Sequence, residues 1–235
     1  MANLAPLPRD TRAHLLEREA LLFPLPDAVW FPKTQMPLYV FEPRYRALVV
    51  DAERKRLPIA VVQLKPGWEL ETKLTPPIYD FCTFGHFILL ERFLDGRFNV
   101  VLHGEHRCRI LEETITDRGY RKAWVKVDDV RINVSKTKQP FMRNRILDAV
   151  KAHFSEDVLS LAHAMKYEAE SSVEGVLYNL IHHIKFDAEY RQELLEMPTL
   201  TGLYHEVLRL LKTLKHPQLS TTDLQHFPYV YLEEN

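Results

Sequence analysis

Glycine and cysteine are both scarce in this chain, with 7 and 2 among 235 residues, and the shortage excludes several kinds of chemistry. No glycine is followed by lysine, so the loop that cradles nucleotide phosphates is missing. No serine sits in a G-x-S-x-G elbow, and no H-E-x-x-H pair is present. Two cysteines, Cys82 and Cys108, are too few for a disulfide scaffold and suit a reducing cytosol. Excess charge is absent as well: 31 basic and 32 acidic residues leave a net charge of -1. That removes the strong electrostatic case for nucleic acid or an anionic membrane. No apolar run is long enough to cross a bilayer, and the first residues contain no secretory core. The expectation is a soluble cytoplasmic protein that needs no cofactor.

What the chain does have is a dense apolar stretch punctuated by proline. Leu21 to Leu25 is short and apolar, as a buried strand would be. Pro24, Pro26, Pro32 and Pro37 then interrupt it, because proline has no N–H for a ladder or a helix. Met36 to Phe41 reads as a second strand. Glu42-Pro43 opens a helix, since the first helical N–H has no partner in any case. Tyr45, Leu48, Val49 and Ala52 recur at helical spacing and define its apolar face, with Arg44, Arg46 and Asp51 on the other side.

Further along, Pro58–Leu64, Tyr79–Phe93, Phe98–Leu102, Arg107–Ile115 and Tyr120–Val130 read as strands. Asp95-Gly96 marks a hairpin, Gly104 a turn, and Gly85 a bulge or a close backbone approach. Lys65–Pro77 is an exposed loop. Short strands at this spacing argue for a closed or nearly closed barrel. Near Ser135 the period changes from 2 to 3.6. Met142, Ile146, Ala149, Val150 and Phe154 share one helical face, and Val158, Leu159, Ala162 and Met165 mark another helix. Ser171-x-x-Glu174 predicts a capping box, and Asp187 caps the next helix. The last helix carries Leu200, Leu203, Tyr204, Val207, Leu208, Leu211 and Leu214. The expected organisation is a lead-in (1–20), with a short helix from Arg9 to Ala20 in question, then a β part with one helix (21–134), a helical bundle (135–215) and a tail (216–235). In the tail Phe227, Tyr229 and Tyr231 alternate as in a docking strand.

The run FPLPDAVWFPKTQMPLYVFEPRYRALV, residues 23–49, resembles the opening of the Lon protease N-terminal, substrate-binding domain family. Asp95–Leu111 is similar to that family's second block, a DGR…G…R.RI pair of strands, and Phe186–Glu196 is similar to its closing helical segment. The resemblance spans roughly residues 18–215. It implies an α+β fold, a PUA-like β-barrel (pseudobarrel) followed by a C-terminal helical bundle, where periodicity alone gives only a β part and then an α part. It implies a stand-alone, non-catalytic module that binds unfolded or flexible protein segments, in company with a protease or as an adaptor or regulator of proteolysis. It carries over no catalytic residue.

Several residues invite a sharper reading. Trp30 and Phe31 between the first strands, and Trp68 in its Pro-bounded loop, suit contact with apolar peptide segments; a plug at the barrel end explains Trp30 and Phe31 equally well. Within the motif Glu42, Pro43, Arg44, Tyr45 and Arg46, the residues Glu42, Arg44 and Arg46 resemble an acid–base cluster, but a helix start favours a carboxylate and the arginines can pair locally, so the motif is read as structural. His103, His106 and Cys108, joined by Cys82 or His86, have the spacing of metal ligands, although alternation along a strand separates them and cysteine is commonly buried; no metal is assigned. Arg118, Arg121, Lys122 and Lys126, with Lys136, Lys138, Arg143 and Arg145, raise an RNA-binding alternative. Asp117, Asp128 and Asp129 interrupt that cluster, which favours a solvated charged face.

Overall fold

The computed structural model describes residues 16–70, 75–153, 172–184 and 186–213. Six strands come first: β1 (Glu17–Leu25), β2 (Gln35–Val40), β3 (Ile59–Gln63), β4 (Phe81–Arg92), β5 (Phe98–Ile115) and β6 (Arg121–Val127). Helix α1 (Pro43–Lys55) links β2 to β3. Helices α2 (Gln139–His153), α3 (Val173–His183), α4 (Ala188–Glu196) and α5 (Leu200–Thr213) follow.

The sheet closes on itself. β1 pairs in parallel with β3 and antiparallel with β6, β3 pairs with β4, β4 with β5, and β5 with β6. β2 adds to the first half of β5 only. Side chains from every strand of a closed ring can touch one another only on its inside. Ala20, Leu22, Ala60, Val62, Cys82, Phe84, Cys108, Ala123 and Val125 do so, and they form the lumen. Alanines and cysteines suit so narrow a ring. The opposite faces of β1 and β3 (Leu21, Phe23, Leu25, Ile59, Val61) pack with Tyr45, Leu48, Val49 and Ala52 of α1. Both faces of β1 and β3 are therefore buried, which explains apolar runs that do not alternate.

Several boundaries differ from the sequence reading, each for a local reason. β1 begins at Glu17, so residues 17–20 are strand and not lead-in or helix; they pair with residues 123–126 of β6. Pro24 and Pro37 lie within strands. β2 has an unpaired edge, where a missing N–H is tolerated. Gly104 ends no strand: β5 runs through it without a turn. The absent side chain serves close approach, since a Cβ there would lie 2.6 Å from the Phe31 carbonyl oxygen. Gly85 combines both expectations, standing at a register shift where a Cβ would meet the His103 carbonyl oxygen at 1.8 Å. Ser172 caps α3 by accepting from the Gly175 N–H, and Asp187 caps α4 by accepting from Tyr190. Ser171, the helix expected around Val158–Met165, Phe154, Leu214 and the tail with Phe227, Tyr229 and Tyr231 lie outside the described residues.

Barrel and helices are joined through the loop after β1. Trp30 belongs to the core between the sheet and α1, while its neighbour Phe31 belongs to the helical core with Tyr178 and Leu177. Both are fully buried. Arg107 of β5, also buried, donates from Nη1 to the carbonyls of Leu195 (2.8 Å) and Met197 (2.7 Å). It supplies positive charge where the end of α4 exposes unpaired carbonyls. Gln192 donates to the Phe81 carbonyl (3.0 Å), and the Lys33 ammonium reaches Ser172 and Glu174 (2.8 and 2.9 Å). Replacing a buried phenylalanine by alanine costs about 3–5 kcal/mol. Phe31→Ala should therefore lower stability by that amount in urea titration, and a loss below about 1 kcal/mol would show that the bundle does not depend on this ring.

Candidate functional site

Helix α1 carries the motif singled out in the sequence, and its residues hold the barrel's hairpins. Pro43 takes the first helical position, and Glu42 is the N-cap residue without a side-chain capping bond. The Glu42 carboxylate instead accepts from Arg44 Nε at 2.8 Å. Tyr45 stacks on Phe23 with ring centroids 4.3 Å apart, and the Arg44 guanidinium lies 4.6 Å over the Tyr45 ring. Arg46 rests on the β4–β5 turn: a Cβ at Gly96 would fall 2.1 Å from its Nη2. Glu53 accepts from Arg92 of β4 at 2.6 Å.

Asp51 departs from its expected place on the polar side. It is buried, covered by the β5–β6 turn, which brings Tyr120 Oη to 2.6 Å and Arg118 to 2.9 Å; Arg54 adds a contact at 3.1 Å. Burial pushes its carboxyl pKa up, but the hydrogen bonds from Tyr120 and Arg118 outweigh it and hold the value below the ordinary 3.8. Burial, and then the Asp51 carboxylate, push the Tyr120 phenol up to about 12. A carboxylate depressed by folding stabilises the fold above its unfolded value, so this contribution fades as pH falls below 3.8. Sequence spacing could not show the site, because Asp51 and Tyr120 are 69 residues apart.

The other candidates are separated by the fold. Trp30 and Phe31 are fully buried, Trp30 in the core shared with α1 and Phe31 in the helical core, so neither ring is exposed to a partner. Trp30 Nε1 donates to the Thr34 carbonyl at 3.2 Å, and Thr83 Oγ1 donates to the Trp30 carbonyl at 2.6 Å. Trp68 is half-buried and opens a short 3-10 turn ending at Leu70, which is 88% exposed. The potential metal ligands are drawn into pairs: His106 Nδ1 lies 2.6 Å from Asp129, and His86 Nδ1 lies 2.6 Å from Glu105. Cys82 and Cys108 face each other across β4 and β5 with sulfurs 3.4 Å apart. Burial and the neighbouring sulfur push the Cys108 thiol up, away from the thiolate a nucleophile or metal site needs. Among the described residues no group of three or more His, Cys, Asp or Glu side chains is arranged to hold a metal.

Of the basic cluster, Arg118 pairs with Asp51, Arg121 with Glu113 at 3.3 Å, and Lys122 with Glu19 at 2.7 Å. These three cations are engaged by carboxylates of this chain. A shallow depression open to solvent lies beside the start of α1, with Tyr39, Phe41 and Glu42 among its lining. No helix among the described residues is long and apolar enough to cross a membrane.

These contacts rank two substitutions. Glu42→Ala removes one half-exposed ion pair, worth about 0.2–1 kcal/mol. Asp51→Ala leaves the buried Tyr120 hydroxyl without its acceptor and should cost a further 1–3 kcal/mol or so. Denaturant melts and binding to an unfolded test protein, measured on both variants, should show graded stability losses and unchanged affinity. A Glu42→Ala protein that melts like wild type but no longer binds would contradict the structural role of the motif.

Comparison with known families matches residues 19–213 to the ATP-dependent protease La (LON) substrate-binding domain. Comparison with curated proteins by sequence finds no match. Among solved structures, a Lon N-terminal domain protein from Xanthomonas campestris is similar, with 21% identity, 83% of this chain and 97% of that one covered, and a TM-score of 0.55. The N-terminal domain of Mycobacterium avium complex Lon protease is similar at 14% identity, covering 83% of this chain and 99% of that one, with a TM-score of 0.56. At these identities the structures speak for the fold, and the family match speaks for descent. With nearly all of the β-ring, the α1 clamp and the described helices inside the matched residues, the chain belongs to the Lon substrate-binding domain family.

Proposed function

We propose that the chain is a non-catalytic recognition module that captures exposed, flexible segments of other proteins, acting as an adaptor or regulator in proteolysis. The observation that supports this most directly is the family match over residues 19–213, which takes in nearly all of the described fold. The chemistry of the interior points the same way. Two of its buried ionisable groups are tied up in bonds that hold the fold: Asp51 with Tyr120 and Arg118, and Arg107 with the end of α4. Lys33 and Ser172 lie 2.8 Å apart, but that hydroxyl caps α3 and stands at the barrel–bundle joint.

Recognition then falls to apolar side chains left at the surface. Trp68 and Leu70, on a short turn fixed next to β3, offer an apolar contact of the kind that suits a disordered chain. An RNA-binding role is the alternative, and the ion pairs made by Arg118, Arg121 and Lys122 weigh against it.

The test uses an unfolded, reduced and alkylated protein as the client. Wild type should retain it and delay its aggregation, and Trp68→Ala should weaken retention by about tenfold with an unchanged melting temperature. Equal retention by both proteins would remove Trp68 from the account. Steeply salt-dependent binding to single-stranded RNA, with no retention of the client, would favour the alternative.

A further inference from the structure

One stretch of the barrel's outer wall exposes apolar side chains on regular strands. Trp124 on β6 is 53% exposed, and Leu111 on β5 is 49% exposed. Trp124 sits in the middle of three strands, opposite Glu19 of β1 on one side and Glu112 of β5 on the other. Its neighbours Ala123 and Val125 point into the lumen, which puts the indole outside. Strict alternation from the lumen-facing Ile110 would send Glu112 inward as well. The register shift between Ile110 and Glu112 prevents this: the bulge re-aims the strand and brings Glu112 beside Trp124, with Leu111 exposed next to it.

The charges of this wall are unevenly spent. Lys122 pairs with Glu19, Arg121 with Glu113, Arg118 with Asp51, and Arg109 with Asp80. Among the described residues this leaves Glu17 and Glu112 on the wall and Asp117 in the β5–β6 turn without an ion-pair partner, against one such cation on the outer face, Lys126, which stands opposite Glu17; Arg18 of β1, also without an ion pair, lies over the ring of the lumen residue Phe84. An exposed indole face attracts ammonium and guanidinium groups, and nearby carboxylates reinforce the attraction.

We propose that this wall, centred on Trp124 and Leu111 and rimmed by Glu112, docks flexible polypeptide segments that present a lysine or arginine beside an apolar residue. The inference rests on the recognition role proposed above and adds a second surface with a charge preference. The indole would cover the cation, Glu112 would pair with it, and Leu111 would take the apolar neighbour.

Fluorescence anisotropy on the full chain tests this, with a labelled peptide alternating leucine and lysine, its leucine–glutamate counterpart, and the unfolded alkylated protein as a general probe. Wild type should prefer the lysine peptide by about tenfold. Trp124→Ala should lose about tenfold in affinity for it, and Glu112→Lys should abolish the preference. Both variants should keep the wild-type melting temperature, because the replaced side chains are exposed. A Trp124→Ala protein that binds the lysine peptide as tightly as wild type would overturn the proposal, as would a wild-type preference for glutamate. Uptake of the unfolded protein without uptake of the lysine peptide would sink this surface and leave the recognition role standing. Uptake of neither would sink both.

Discussion

Two consecutive side chains, Trp30 and Phe31, point into two different hydrophobic cores, and the arrangement of the whole molecule follows from that. Trp30 packs in the core that the sheet shares with α1, beside Gly85 and Gly104, where a Cβ at either position would collide with its ring or with the adjoining backbone. Phe31 enters the helical core beside Tyr178, with ring centroids 5.6 Å apart. A chain that places neighbouring aromatics in separate cores cannot shift one core without disturbing the other. Arg107 reinforces the joint by carrying a buried charge from β5 to the carbonyls at the end of α4. Removing either partner from such a buried set is expensive, because the charge or the carbonyls are then left unpaired. Barrel and bundle are therefore held as one body.

A second constraint comes from α1, which shares its core with Trp30. Helix α1 gathers the hairpins: Arg46 against the β4–β5 turn, Glu53 to Arg92, and Asp51 to Arg118 and Tyr120. The motif that identifies the family is thus a device for fixing hairpins around a helix. Rigid hairpins make a suitable base for surface recognition, since ordering the binding surface in advance lowers the entropy lost on association.

Much of this architecture can be read from residue order, and the exceptions are instructive. The apolar face of α1, the Asp95-Gly96 hairpin and the Asp187 cap depend on neighbours close in sequence, and local patterns predict them well. Trp30 and Phe31 were readable as buried, but not as divided between two cores, because strand closure decides which core each ring enters. Asp51 looked like one more polar residue on a helix exterior; only the return of the chain at Arg118 and Tyr120 buries it. Gly104 looked like a turn because glycine punctuates both turns and close approaches, and a linear pattern does not separate the two. Trp124 escaped notice for the opposite reason. Its alternation with Ala123 and Val125 marks the outer face of a strand, yet nothing local reveals that Glu112 is bulged into place beside it.

The most direct measurement of the central claim is differential scanning calorimetry of the full chain. If the Trp30–Phe31 junction and Arg107 unite barrel and bundle, unfolding should be a single transition whose calorimetric and van't Hoff enthalpies agree. Two resolved transitions, or a calorimetric enthalpy well above the van't Hoff value, would show that the two parts melt independently and would contradict the account.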